Sequence, residues 1–309
     1  MTTLRKFMLA SDLDETKLRF PIEAQPKIDG VRAGNLNGVF TGRSLKPFGN
    51  DYICEFFGQE IFEGFDGELA AEHECHPDLC RLTTSATSTH AGEPWLMWHV
   101  FDYITPETEL LEYWLRYKAM NQRVATIKSL HPELGVHLRV VPSKTVYSLE
   151  ELLQFEEECI DKGYEGIIVR DPYGKNKQGR STIREMGLLR KKQFQIDEAL
   201  VTGVEEGQTN LNEAVRDARG YIERSTHKAN MVPNGKVGTL LCIDLKTKKP
   251  IRVSAGRMNH DERERYLREP HLIVNQIIKY QNFAHGVKDA PRQATFQCIR
   301  SKDDMDPEA

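Results

Sequence analysis

The chain has 309 residues, enough for two domains that each bury a core. With 39% hydrophobic and 28% charged residues it is neither a disordered tail nor a membrane-embedded chain. The net charge of −4 is uneven: Lys and Arg number 24 against 31 Asp and Glu over residues 1–200, and 18 against 15 over residues 201–309, giving −7 and +3. A local basic face, not the net charge, decides phosphate binding.

In chain order, the first twenty residues hold no apolar run of signal-peptide length. No later segment approaches the roughly 18 apolar residues of a membrane span, so a cytoplasmic protein with no membrane partner is expected. Residues 22–48 alternate as short strands, with Asn37-Gly38 between VRAGNL and VFTGRS as a hairpin signal. Strands are expected at 61–72 (IFEGFDGELAAE) and 95–104 (WLMWHVFDYI). The cluster His73-Glu74-Cys75-His76, with Cys80 beyond, has ligand chemistry but no second Cys/His pair at zinc-finger spacing, and reads as an ordinary loop. Six scattered cysteines form no disulfide framework.

A helix is expected over 108–129, where Leu111, Trp114, Leu115, Ala119 and Val124 keep helical spacing. A second is expected over 148–162, opened by Ser148 with Glu151 three residues on and closed by Lys162-Gly163. Strands return at GIIVR and EALVTGV, and the composition shifts near Gly203–Gly207. A polar, basic stretch then runs to about residue 230. It is followed by strands GTLLCIDLK and PIRVSAG, a charged helix at 260–268, and the segments LIVNQIIKYQNF and ATFQCIR. Many short strands with one helix suggest a small closed barrel behind a hinge at 200–207.

The residues that bear chemistry begin at Lys27-Ile28-Asp29-Gly30-Val31-Arg32. A lysine leaving a strand can act as an amine nucleophile; the glycine lets the backbone approach a bound group, and Arg32 offers a fork for phosphate or sugar oxygens. Downstream stand Gly42-Arg43-Ser44, Phe65-Asp66-Gly67-Glu68-Leu69, Phe101-Asp102-Tyr103, Glu165-Gly166-Ile167-Ile168-Val169-Arg170 and Leu189-Arg190-Lys191-Lys192. Alone, each has a bland reading: a solvated strand face for Glu68, core for Phe101, an exposed charge run for residues 190–192.

In order and spacing these stretches resemble the motifs of the covalent nucleotidyltransferases. The resemblance implies that Lys27 becomes bonded to AMP, with ATP as cofactor and Mg²⁺ (or Mn²⁺) held by Glu165 and Glu68. It also implies that Glu68 holds the nucleotide ribose or metal, Phe101 stacks on the purine, and Arg32 and Arg43 contact the nucleotide or the nick. Arg190 and Lys192 would grip the α-phosphate, although the family's first cation of that pair is a lysine and Lys191 stands beside Arg190 as a rival. Asp29 is a further catalytic candidate, assisting attack by a 3′-hydroxyl.

Within that superfamily the chain resembles ATP-dependent DNA ligases, and the minimal two-domain phage and viral type in particular, since only 26 residues precede Lys27. Glu165 stands where capping enzymes usually carry Asp. Residues 237–268 look like the ligase oligonucleotide-binding (OB) barrel, and Pro291–Phe296 with Ile299–Asp303 resemble the last motif, whose Arg292 and Arg300 would orient pyrophosphate. The fold implied is an α+β adenylation domain of antiparallel sheets with flanking helices over 1–202, followed by an all-β OB-fold barrel over 203–309.

The implied partner is nicked double-stranded DNA, sealed by a monomer in a cytoplasm, that of the host if the protein is viral. Lys175, Lys177, Arg180 and Arg184 form one basic segment suited to the DNA backbone. Arg216, Arg219, Arg224, His227 and Lys228 form the other. Two alternatives stay open: an RNA ligase with the same lysyl-AMP chemistry, and a catalytically silent OB-type nucleic-acid-binding protein.

Overall fold

A computed structural model describes residues 5–283 and 290–300. The chain divides into two compact units, Met1–Lys192 and Gln193–Ala309. The sequence-based boundary at 202/203 is therefore corrected by ten residues. It falls inside one continuous strand, Gln195–Asn210, because the composition shift at Gly203–Gly207 marks irregular pairing within that strand and not its start.

The first unit opens with β1 (Met8–Leu9), β2 (Ser11–Asp12), β3 (Ile22–Lys27), β4 (Val31–Asn35) and β5 (Phe40–Gly42). Helix α1 (Asp51–Phe57), β6 (Phe65–Ala70), α2 (Leu79–Ser88), β7 (Met97–Tyr103), α3 (Tyr113–Leu130), α4 (Pro132–Gly135) and β8 (Leu138–Val140) follow. The unit closes with β9 (Lys144–Val146), α5 (Leu149–Asp161), β10 (Gly166–Arg170), β11 (Gly179–Arg180) and β12 (Leu189–Lys192). Two five-stranded sheets result, ordered β2-β12-β10-β3-β9 and β5-β4-β6-β7-β8, with a small β1-β11 pair.

The sheets are mixed, not purely antiparallel as expected. β7 pairs β8 in parallel because α3 and α4 carry the chain back before it re-enters the sheet, and β2 pairs β12 in parallel. Each sheet has one face covered. Ile22, Ala24, Ile167, Val169 and Leu189 pack with Leu152 and Cys159 of α5. Trp98 at the centre of the other core meets Phe40, Phe57, Phe62 and Phe65 at ring distances of 5.0 to 6.2 Å. The uncovered faces are left to line a cavity.

The hairpin turn at Asn37-Gly38 forms, with Gly38 at φ +71°. Ser148 caps α5 by accepting from the Glu151 N–H, and Glu151 accepts in return from the Tyr147 N–H. Helix α3 forms, but with a rotated face: it buries Tyr113, Arg116, Met120, Val124 and Ile127, while Trp114 is 44% exposed. The apolar pattern missed this because a charged residue, Arg116, belongs to the buried stripe.

In the second unit β13 (Gln195–Asn210) is followed by the hairpin β14 (Ala214–Arg216) and β15 (Ile222–Arg224), then β16 (Met231–Asp244) and β17 (Pro250–Ser254). Helix α6 (His260–Arg268), started by a capping box between Asn259 and Glu262, precedes β18 (Ile277–Phe283) and β19 (Arg292–Ile299). Five strands close on themselves in the order β13-β16-β17-β19-β18 around Val201, Leu240, Val253, Ile278 and Tyr280. Of the final expected motif, residues 301–303 lie outside the described residues.

Candidate active site

Lys27 ends β3, and Lys192 ends β12. Between them runs β10, whose first residue, Gly166, is the register partner of both. Paired residues of neighbouring strands share a face, so both lysines stand on the uncovered side of the sheet. Glu165, one residue before β10, accepts from Lys27 Nζ with Oε2 and from Lys192 Nζ with Oε1. Its side chain is only 2% exposed. A Cβ at Gly166 would lie 2.1 Å from the Lys191 carbonyl oxygen, so the strands close this tightly only around glycine.

Burial alone would raise the Glu165 carboxyl, but the charges of Lys27 and Lys192 outweigh it and hold it below its usual range. Lys192 is lowered by burial and by the neighbouring Lys27 charge. These three groups form a largely buried cluster at one end of the cavity, two ammonium groups sharing one carboxylate.

The turn after Lys27 explains the rest of its hexad. A Cβ on Gly30 would meet the Leu69 carbonyl at 2.1 Å and Glu68 Cγ at 2.9 Å, so the glycine lets the turn lie against β6. Asp29 is buried in that turn. Arg32, on β4, forms a bidentate pair with Asp66 of β6 at 2.6 and 2.7 Å. Glu68 stands opposite Arg32 in the same register. Burial, opposed by Lys27 and Arg32, pushes its carboxyl up to about 7.

One cavity is lined by Gln25, Lys27, Arg32, Arg43, Glu68 and Phe101, and also by Ile168, Arg170, Arg180 and Arg190. It gathers residues from β3, β4, β6, β7, β10 and β12, the open faces of both sheets. The Phe101 ring lies under two cations, with Arg32 4.6 Å and Arg170 5.3 Å from its centre.

Strand alternation separates Arg190 from Lys191. Arg190 shares its face with Lys192 and lines the cavity, while Lys191 turns to the α5 side and pairs with Glu156 and Glu15. Lys175 and Arg184 are exposed, and Lys177 pairs with Glu185 at 2.7 Å. Arg180 is exposed as well but also borders the cavity, because β11 pairs with β1; it donates to the Ala10 carbonyl at 2.6 Å.

Arg170, Asp102 and Arg116 carry no role in the sequence resemblance. Arg170 and Arg116 both donate to the buried Asp102 carboxylate, at 2.7, 2.8 and 3.0 Å. Burial alone would raise Asp102, but the two guanidinium groups bring it down to about 2. A charged residue in a strand otherwise as apolar as WLMWHVF was the available signal.

In the second unit Arg216 and Arg224 lie on the β14–β15 hairpin, Arg219 in its turn beside Asp217 and Tyr221, and His227 and Lys228 just beyond, exposed. Arg292 opens β19 and Arg300 follows its end, paired with Glu198. His73 and His76 each accept a backbone N–H through Nδ1, from Cys75 and Asp78.

No family model and no curated protein sequence matches the chain. Solved structures do. The DNA ligase-adenylate of Chlorella virus aligns with 97% of this chain and 99% of its own, at 27% identity and a TM-score of 0.54. A Lig E DNA ligase aligns with 96% and 99%, at 19% identity and a TM-score of 0.71. The ATP-dependent DNA ligase of bacteriophage T7 in complex with ATP aligns with 97% and 99%, at 14% identity and a TM-score of 0.51. The chain has the fold of the ATP-dependent DNA ligases. Within the first unit the stretches around Lys27, Arg43, Glu68, Phe101, Ile168 and Arg190, far apart along the chain, each contribute to one cavity. No described helix is long and apolar enough to cross a membrane.

Proposed function

We propose that the chain is an ATP-dependent DNA ligase that seals nicks in duplex DNA through a lysyl-AMP intermediate. The observation that carries this reading is the Lys27–Glu165–Lys192 cluster at the end of a cavity lined by Arg32, Glu68, Phe101 and Arg190. An amine, a carboxylate and converging cations are what nucleotidyl transfer to a lysine requires.

Lys27 Nζ, as the free amine, bonds to the α-phosphorus of ATP while the bond to pyrophosphate breaks. Lys192 and Arg190 balance the charge that gathers on the phosphoryl oxygens. A 5′-phosphate oxygen at the nick then takes the AMP, breaking the phosphorus–nitrogen bond. Finally the 3′-hydroxyl attacks the 5′-phosphorus, its proton leaves, and AMP departs. Asp29, buried two residues after Lys27, is our candidate to assist that last attack.

Among the described residues no three His, Cys, Asp or Glu side chains cluster as a metal site. A pair of carboxylates completed by substrate phosphates and water nonetheless suits Mg²⁺ or Mn²⁺. Glu165, exchanging a lysine contact, and Glu68 would hold the ion, which would neutralise phosphate charge. Phe101 and Arg32 would bound the base and sugar, and Arg43 would meet the nucleotide or the nick. Arg292 and Arg300 would orient the pyrophosphate. Lys175, Lys177, Arg184, Arg216, Arg219, Arg224 and Lys228 would contact backbone phosphates, and the barrel would be of the OB type.

The test is sealing of a singly nicked DNA duplex, run beside the same nick with RNA on both sides, with ATP and Mg²⁺. Ligation of the DNA nick is expected. Ligation of RNA alone would make the chain an RNA ligase, and binding of either without ligation would make it a silent binding protein.

A further inference from the structure

Four of the arginines lining the cavity named above are each held by an acceptor. Arg32 has Asp66, Arg170 has Asp102, Arg180 has the Ala10 carbonyl, and Arg190 has Asp12. The first two acceptors are buried carboxylates whose loss would disturb the core. Asp12 differs: its side chain is 82% exposed, that of Arg190 34%. So exposed a pair contributes little to stability.

The position of Asp12 is nevertheless fixed by backbone. β2 pairs in parallel with β12, and Asp12 is the register partner of Arg190. The residues on either side are tied to β12, Ser11 N–H to the Leu188 carbonyl at 3.2 Å and Leu13 N–H to the Arg190 carbonyl at 2.9 Å. From there Asp12 Oδ1 accepts from Arg190 Nε at 2.7 Å. A guanidinium is planar with five donors in a fixed fork, so a partner on Nε sets the plane while the Nη end stays available to phosphate oxygens.

We propose that Asp12 is a positioning residue, which orients the Arg190 guanidinium toward the α-phosphate of the bound nucleotide. The inference rests on the ligase reading above. Orientation needs an acceptor at Nε and not a negative charge. Asparagine at this position therefore does most of what aspartate does, and alanine does not. Simple competition between the carboxylate and the nucleotide phosphates for Arg190 makes the opposite forecast, since both substitutions would then free the cation.

The experiment is single-turnover labelling of the full chain with α-labelled ATP and Mg²⁺ across a range of ATP concentrations, for wild type, Asp12→Ala and Asp12→Asn, with a thermal melt of each. Asp12→Ala is expected to raise the half-saturating ATP concentration about fivefold, the worth of one orienting hydrogen bond, with the limiting rate within about twofold. Asp12→Asn recovers most of that loss, and all three melt within about 2 °C of one another. An unchanged half-saturating concentration in Asp12→Ala overturns the proposal, as does a fall in both variants. Absence of label on the wild type would instead count against the ligase reading itself.

Discussion

Lys27 and Lys192 are joined through one residue, Gly166, which is the register partner of both, so two strands distant in sequence deliver their ammonium groups to the single carboxylate of Glu165. The cluster is a product of sheet register, and register depends on how closely β10 lies against β12.

That closeness gives the first prediction. Gly166→Ala places a Cβ 2.1 Å from the Lys191 carbonyl, and backbone must move to admit it. A stability loss of about 1–3 kcal/mol is expected in urea unfolding, with nucleotide labelling of Lys27 reduced at least about tenfold. Wild-type labelling in this variant would mean that the register does not set the site.

Arg190 and Lys191 are neighbours on opposite faces of β12. Arg190→Ala should raise the ATP concentration needed for labelling by about tenfold, the effect of losing one charge-assisted contact. Lys191→Ala should leave it within about twofold and cost stability instead, because it removes the partner of buried Glu156 and half-buried Glu15. ATP titrations of the two variants, read with their melting curves, check this.

The Glu68 carboxyl, raised by burial from 4.5 to about 7, titrates in the physiological range. A group with a raised folded-state pKa contributes stability that is fully present below its unfolded value and is lost as pH rises through the folded one. Wild type should therefore lose melting temperature relative to Glu68→Gln between about pH 5 and about pH 8. A difference between the two proteins that stays constant over that window would show that Glu68 is not shifted.

Asp102 shifts the other way, down to about 2 from 3.8, so its contribution is present above the unfolded value and disappears as pH falls toward 2. Replacing it leaves Arg116 and Arg170 buried without their shared carboxylate. Asp102→Ala should cost about 3–5 kcal/mol in urea unfolding. A loss below about 1 kcal/mol would show that the two arginines find other partners.

Much of this was legible in the sequence. Lys27-x-Asp29-Gly30-x-Arg32, Glu68, Phe101, Glu165 and Lys192 were all identifiable from residue type and order, and they do line or adjoin one cavity. The Asn37-Gly38 hairpin and the Ser148 cap were local signals and local structure obeyed them. What pattern could not reveal is anything set by pairing between distant strands. Arg180 reads as one of a run of surface cations, and it is exposed, but only the pairing of β11 with β1 reveals that it also borders the cavity. Asp102 and Arg116 are charged residues on buried faces, intelligible only once each is seen to be the other's partner. The start of β13 was obscured because its irregular middle carries the glycines that resemble a hinge.

The most direct test of the account is to incubate the protein with α-labelled ATP and Mg²⁺, separate it under denaturing conditions, and map the labelled peptide. The account predicts one AMP on Lys27, held through an acid-labile phosphorus–nitrogen bond and absent from Lys27→Ala. Label that persists in Lys27→Ala, or no label on the wild type, would contradict it.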